Sequence, residues 1–270
     1  MKRLFACCLV SVLLLAAISL ALSASVWPAP EGSIMASDGK LTLDLSGSEN
    51  GYFLAMAEAA DKPYKLRVEH DGTKLTYLVS TPGDYEVFPL QLGSGDYTVS
   101  LYQNTSGKKY SPVGTVTFTA SLAREDAAFL APNQLVMYAQ DSPAVALSEE
   151  ICAGKNSERE RFEAIRSYVQ THFVYDYVRY ASEFTEGSDA LPRVDRCAEE
   201  GKGVYQDLAA MTACMLRAQG IPTRFVTGYV DKQLHAWNVL FLDGQEILYD
   251  PSVDLNAVLP GGSYAAEREY

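Results

Sequence analysis

Histidine is nearly missing from this chain, with three in 270 residues, and cysteine is sparse, with five. No pairing of the two has the spacing of a metal-binding set, so neither a metal nor another cofactor is expected. A glycine-rich phosphate loop is also missing, and with it the usual sequence sign of a nucleotide site. Internal repeats and low-complexity tracts are absent as well. Positive charge is short: 22 Lys and Arg face 34 Asp and Glu, for a formal net charge of −12. Such a surface repels nucleic acid and an anionic membrane face alike, so neither is expected as a partner. Solubility accounts for the acidity more simply than an acidic site does. Cys7 and Cys8 fall in the leading apolar run, which leaves Cys152, Cys197 and Cys214. Three is an odd number that describes no disulfide framework, although one bridge has room to form.

What is present begins with an export signal. Met1-Lys2-Arg3 supplies the positive start, and an apolar run continues to Leu22. Ala21 and Ser23 have the small-residue spacing that a signal peptidase reads. An uncleaved anchor is the competing expectation, because a run of about 20 apolar residues can span a bilayer. Cys7 and Cys8 precede most of the run, the wrong order for a lipoprotein signal. Residues 1–24 are therefore expected to be a signal peptide or N-terminal anchor. The protein is expected outside the cytoplasm, secreted or at the bacterial cell surface, meeting membrane only through that segment if it stays uncleaved.

From about 30 to 120 the chain reads as short strands separated by turn residues. Leu41, Leu43 and Leu45 alternate with polar neighbours, as do Leu66 and Val68, and Tyr97, Val99 and Leu101. Asp71-Gly72 is a two-residue hairpin turn, Pro82-Gly83-Asp84 another turn, and Asn104 to Lys109 a third. About seven strands at this spacing predict an immunoglobulin-like β-sandwich over residues 26–122. No chemical constellation falls there. His70 reads as a solvated turn residue, and Asn104 as a turn asparagine rather than a glycosylation site. A spacer or adhesive role is the simplest for this part.

Residues 123–270 read differently. Ser121 to Pro143 is loop-like, and Ser142-Pro143 starts a helix over Ala144 to Cys152 that Gly154 ends. Ser157 and Glu160 form a capping box before a helix from Arg161 to Phe173. Phe162, Ile165, Tyr168, Val169 and Phe173 give that helix its apolar face, and His172 near its end suits the negative end of the dipole. Pro192 to Gly201 reads as a polar loop. Val204, Leu208, Met211 and Met215 then recur at helical spacing, and Gly220-Ile221-Pro222 stops the helix. Three strand-like runs follow, Arg224 to Val230, Ala236 to Phe241 and Glu246 to Tyr249, the last two joined by Asp243-Gly244. The tail after Asp254 carries no signal.

The stretch from Gly203 to Pro251 resembles the transglutaminase-like superfamily of papain-type cysteine enzymes. In that family a cysteine opens the helix as G-[IV]-C-x-D-x-A, a histidine begins the second strand as H-A-W, and an aspartate ends the third as D-P-[ST]. The matching residues are Gly203-Val204-Tyr205-Gln206-Asp207-Leu208-Ala209, His235-Ala236-Trp237 and Asp250-Pro251-Ser252. The resemblance implies an α+β papain-type domain, a relay of His235 and Asp250, and a cleft walled by Trp237. Asp207 matches the family's acidic position and is a binding candidate, with a simple helix-dipole role as its alternative. One departure outweighs the agreements: the nucleophile position holds Tyr205.

The consequence is chemical. A thiol at a helix N-terminus ionises readily because the dipole and unpaired N–H groups favour thiolate. A histidine takes its proton, and a carboxylate fixes the histidine's tautomer. A phenol of pKa about 10 requires roughly 4 kcal/mol of extra stabilisation to be half ionised at neutral pH. Cys214 lies about two and a half turns along the same helix from Tyr205, too far to substitute. Cys197, eight residues upstream, is the one displaced nucleophile worth testing. Two functions therefore stand. One is a disabled enzyme that binds a peptide, protein or cell-wall segment. The other is an acyl-transfer enzyme, hydrolysing or crosslinking amides through Cys197 or Tyr205 with His235 and Asp250.

Overall fold

The computed structural model describes residues 28–184, 190–257 and 261–270, so the expected export segment lies outside the described residues. The described part of the first half is built mainly of strands: β1 (Met35–Asp38), β2 (Leu41–Asp44), β3 (Tyr52–Ala57), β4 (Tyr64–His70), β5 (Thr73–Val79), β6 (Tyr85–Pro89), β7 (Gly95–Ser106) and β8 (Lys109–Ala120). They form two four-stranded antiparallel sheets, ordered β1-β2-β3-β6 and β5-β4-β7-β8. Strict alternation fixes the register of β4, whose odd residues from Tyr64 to His70 along the strand are buried while the others are half-buried. Leu41, Phe53, Leu66, Phe88 and Leu101 from both sheets close one core. At the β4–β5 turn Asp71 and Gly72 have φ of 45° and 78°, the left-handed pair that a two-residue hairpin needs. The pattern predicts about seven strands, and the described residues of this half form eight. Short, mostly exposed β1 and the nearly unbroken apolar run of β3 carry no alternation to read.

His70 departs from expectation. It is buried rather than solvated, stacks on Tyr97 with ring centroids 4.6 Å apart, and its Nδ1 lies 2.9 Å from the Asp96 carbonyl oxygen. Gly95 makes the space: a Cβ there would lie 2.5 Å from the imidazole.

The second half is α+β. Its elements are α1 (Pro143–Cys152), α2 (Glu158–His172), β9 (Val174–Tyr175), α3 (Tyr177–Glu183), α4 (Val194–Glu200), β10 (Lys202–Gly203), α5 (Tyr205–Ala218), β11 (Thr223–Val230), β12 (Gln233–Leu242), β13 (Gln245–Tyr249), α6 (Pro251–Asp254) and β14 (Tyr264–Glu269). The capping box of Ser157 and Glu160 forms at the start of α2, and His172 at its end stacks on Tyr168 at 3.9 Å. The Pro192–Gly201 segment is not a loop: α4 forms there because Val194 and Cys197, one turn apart, bury themselves against the core. Every residue of α5 from Tyr205 to Arg217 is buried, with α1, α2, α4 and α6 around it and the sheet β13-β12-β11-β14 on its flank. Among the described residues no helix is long and apolar enough to cross a membrane.

The tail also holds structure. β14 pairs antiparallel with β11, with an irregularity between Thr227 and Gly228. A Cβ on Gly228 would lie 2.1 Å from the Ala265 carbonyl oxygen, so the close approach of the strand requires glycine.

Candidate functional site

The site sits where the start of α5 meets the start of β12. Val204 precedes the helix in extended conformation and cannot cap it with its own side chain. Asp207, one turn in, accepts from the Val204 N–H at 3.1 Å and from the Arg193 N–H at 2.9 Å, and pairs with the Arg179 guanidinium. Arg179 also bonds Glu183 at 2.9 Å. Asp207 is 1 % exposed and is not among the residues lining the cleft beside His235. It locks α3 and Arg193 against the helix start.

Tyr205 opens the helix. Its ring lies among Phe184 (5.7 Å between centroids), Tyr180 (6.4 Å) and His235 (5.3 Å). Burial, then the neighbouring Tyr180 and Asp207, pushes its phenol up to about 12, and no hydrogen bond among the described residues offsets this. At neutral pH only about one such phenol in 10⁵ is ionised.

His235, the third residue of β12, faces Asp250 at the start of α6, with Nε2 2.8 Å from Oδ2. Asp250 Oδ1 accepts the Ser252 N–H at 2.9 Å, which fixes the carboxylate as the cap of α6. A further partner arrives from β14: the Tyr264 hydroxyl donates to Asp250 Oδ2 at 2.8 Å. Burial, followed by that bonded Asp250, raises the Tyr264 phenol far above its ordinary value. Trp237, two residues along β12, stacks on His235 at 6.4 Å and meets Tyr264 edge-on at 5.0 Å. It is 2 % exposed and supports the histidine from behind rather than lining the cleft. Asp250 thus orients the His235 imidazole, and the side chain beside it at the start of α5 is a neutral phenol.

The cleft has a volume of about 470 Å³ and is lined by Tyr175, Tyr177, Tyr180, Tyr205, Asp231 and His235 among others. Cys197 is not brought to it. Its thiol packs against Gly203, lines a different, polar cavity beside Arg179 and Asp207, and is pushed well up by burial and then by Asp207. All three described cysteines are free and buried, so the bridge left open by the sequence does not form among them. Burial raises the Cys152 and Cys214 thiols too. Among the described residues no group of three or more His, Cys, Asp or Glu could hold a metal ion. Sequence reasoning missed Tyr264 altogether. The run of aromatics from Phe173 to Tyr180 was the one available hint of the tyrosine-lined wall.

Residues 145–251 match the family model of the transglutaminase-like superfamily, so the chain carries a transglutaminase-like domain. Among solved structures it is similar to a candidate cysteine protease from Cytophaga hutchinsonii, 16% identical over 74% of this chain and 71% of that one, with a TM-score of 0.40. It is also similar to the periplasmic domain of TgpA from Pseudomonas aeruginosa, 15% identical over 74% of this chain and 90% of that one, with a TM-score of 0.38. No curated protein matches the chain.

Proposed function

We propose that this is an exported binding protein whose transglutaminase-like domain is catalytically disabled and whose cleft recognises a peptide, protein or cell-wall segment. One observation carries the reading: a neutral tyrosine occupies the helix N-terminus beside an intact His235–Asp250 pair. A phenol held near pKa 12 is a poor nucleophile at neutral pH, whereas the enclosed ring adds aromatic surface to the cleft. An acyl-transfer enzyme working through Cys197 lacks comparable support, since that thiol is buried in another cavity. Export rests on the charged start, the apolar run to Leu22 and the acidic composition. The first-half sandwich is assigned to the immunoglobulin-like class because its β5-β4-β7-β8 sheet has the order of a C′CFG sheet.

The test is Tyr205→Cys. A thiol there meets the helix dipole and His235, so electrophile labelling near neutral pH should run faster at 205 than at Cys152, Cys197 or Cys214. Denaturant, or removal of His235 in the same background, should erase the advantage. Labelling at 205 no faster than in the unfolded chain would show that the relay geometry is lost as well. Amide hydrolysis by the unaltered chain would overturn the reading.

A further inference from the structure

We propose that the cleft beside Tyr205 is a binding site for a quaternary ammonium group, the charge being received by tyrosine ring faces and the Asp231 carboxylate. This rests on the binding reading above and gives it a ligand class.

Four of the chain's 17 tyrosines converge on this one cleft, Tyr175, Tyr177 and Tyr180 from one wall and Tyr205 from α5. Their rings do not form a single stack. Tyr175 and Tyr177 are 4.9 Å apart and tilted by 55°, Tyr175 and Tyr180 are 6.0 Å apart and tilted by 57°, and Tyr180 meets Tyr205 at 6.4 Å and 73°. The cleft is thereby bounded by rings in several orientations, and Tyr177 is 60 % exposed at the mouth. A cation within about 6 Å of such a face is attracted by the ring quadrupole.

The charges agree. Among the described residues no Lys or Arg lines the cleft and Asp231 is its one lining carboxylate, and the chain as a whole carries −12. His235, the one lining ring able to become positive, is paired with Asp250. A primary ammonium would bring three N–H donors to satisfy. Asp231 Oδ1 already accepts the Ser263 N–H at 3.0 Å, so part of that carboxylate's accepting capacity is taken up. A quaternary ammonium has no N–H to satisfy and spreads its charge over methyl groups, which ring faces accommodate directly.

The test is calorimetric titration of the full chain with choline and with 3,3-dimethylbutan-1-ol, which has the same shape but no charge. Choline should bind about tenfold tighter or more, the summed effect of several ring faces and a carboxylate. Tyr177→Ala and Asp231→Asn, both at exposed positions, should each weaken choline by about threefold to tenfold and leave the alcohol nearly unchanged. Equal affinity for the two compounds, or no choline binding with the fold intact by circular dichroism, would overturn the proposal. Lysine methyl ester binding more tightly than choline would overturn it in favour of a primary amine. Failure here leaves the Tyr205→Cys labelling result untouched, so the ligand class and the disabled relay are judged separately.

Discussion

The two ends of α5 have been treated very differently by the fold. At its last turn, Arg217 is enclosed and held through main-chain oxygens. Its guanidinium donates to the Thr223 carbonyl at 2.9 and 2.7 Å, to Ala131 at 2.6 Å and to Tyr270 at 2.8 Å. Burial pulls its pKa down to about 10, yet it stays charged at neutral pH. At the first turn, Asp207 is satisfied, but next to it stands a phenol with no hydrogen bond among the described residues and a histidine with only one ring nitrogen engaged by Asp250. One end is complete and structural. The other keeps unused polar capacity facing a cleft, which is where recognition or chemistry can act.

That contrast makes ordered predictions. Arg217→Leu should be the most damaging, about 4 kcal/mol in urea unfolding, because several charge-assisted bonds at about 1.5–3 kcal/mol each vanish and buried carbonyls are left unpaired. A loss below about 1 kcal/mol would remove the distinction between the two ends. Asp207→Ala should follow at about 3 kcal/mol, since it takes away a helix cap and strands part of a buried guanidinium that Glu183 still holds. Asp250→Asn should cost about 1–2 kcal/mol, because the amide keeps an oxygen for the Ser252 N–H but meets His235 and Tyr264 with a donor. It should change no hydrolytic activity; an activity that disappears while melting stays constant would mean the relay still works.

Tyr205→Phe should be nearly silent at neutral pH and visible only in alkali. The folded phenol titrates near 12 and the unfolded one near 10, so the folded state keeps the proton longer. Its contribution is therefore whole below pH 10 and is lost as pH rises from 10 to 12. The ultraviolet phenolate titration of the parent minus that of Tyr205→Phe should have its midpoint near 12. A midpoint near 10 would place the ring in water.

Much of the site was legible in the chain, because short-range rules write it there. Asp243-Gly244, Gly220-Ile221-Pro222 and the Ser157–Glu160 box are local geometry, and the H-A-W and D-P-S runs put His235 at the start of a strand and Asp250 at the end of the next. What was missed depended on distant partners. Arg217 gives no sign of its role because its acceptors are backbone carbonyls, which every residue has. Tyr264 reaches Asp250 only because Gly228 admits β14 so closely. His70 looked like a turn residue because the gap at Gly95, on another strand, cannot be read from its neighbours. The α4 helix shows only one turn of apolar spacing, too little to outweigh its polar residues.

The strand β14 touches both cores. Tyr264 meets Asp250 near its start, and just past its end Tyr270 packs edge-on against Tyr77 of the sandwich at 6.5 Å while exchanging backbone hydrogen bonds of 2.9 Å with Phe225. The Gln91 amide of the sandwich also bonds the Glu269 carbonyl. A swivel between the two halves would have to shear this ladder, so the tandem lacks the loose hinge common between neighbouring modules. Heat or denaturant should melt both halves in one cooperative transition rather than two.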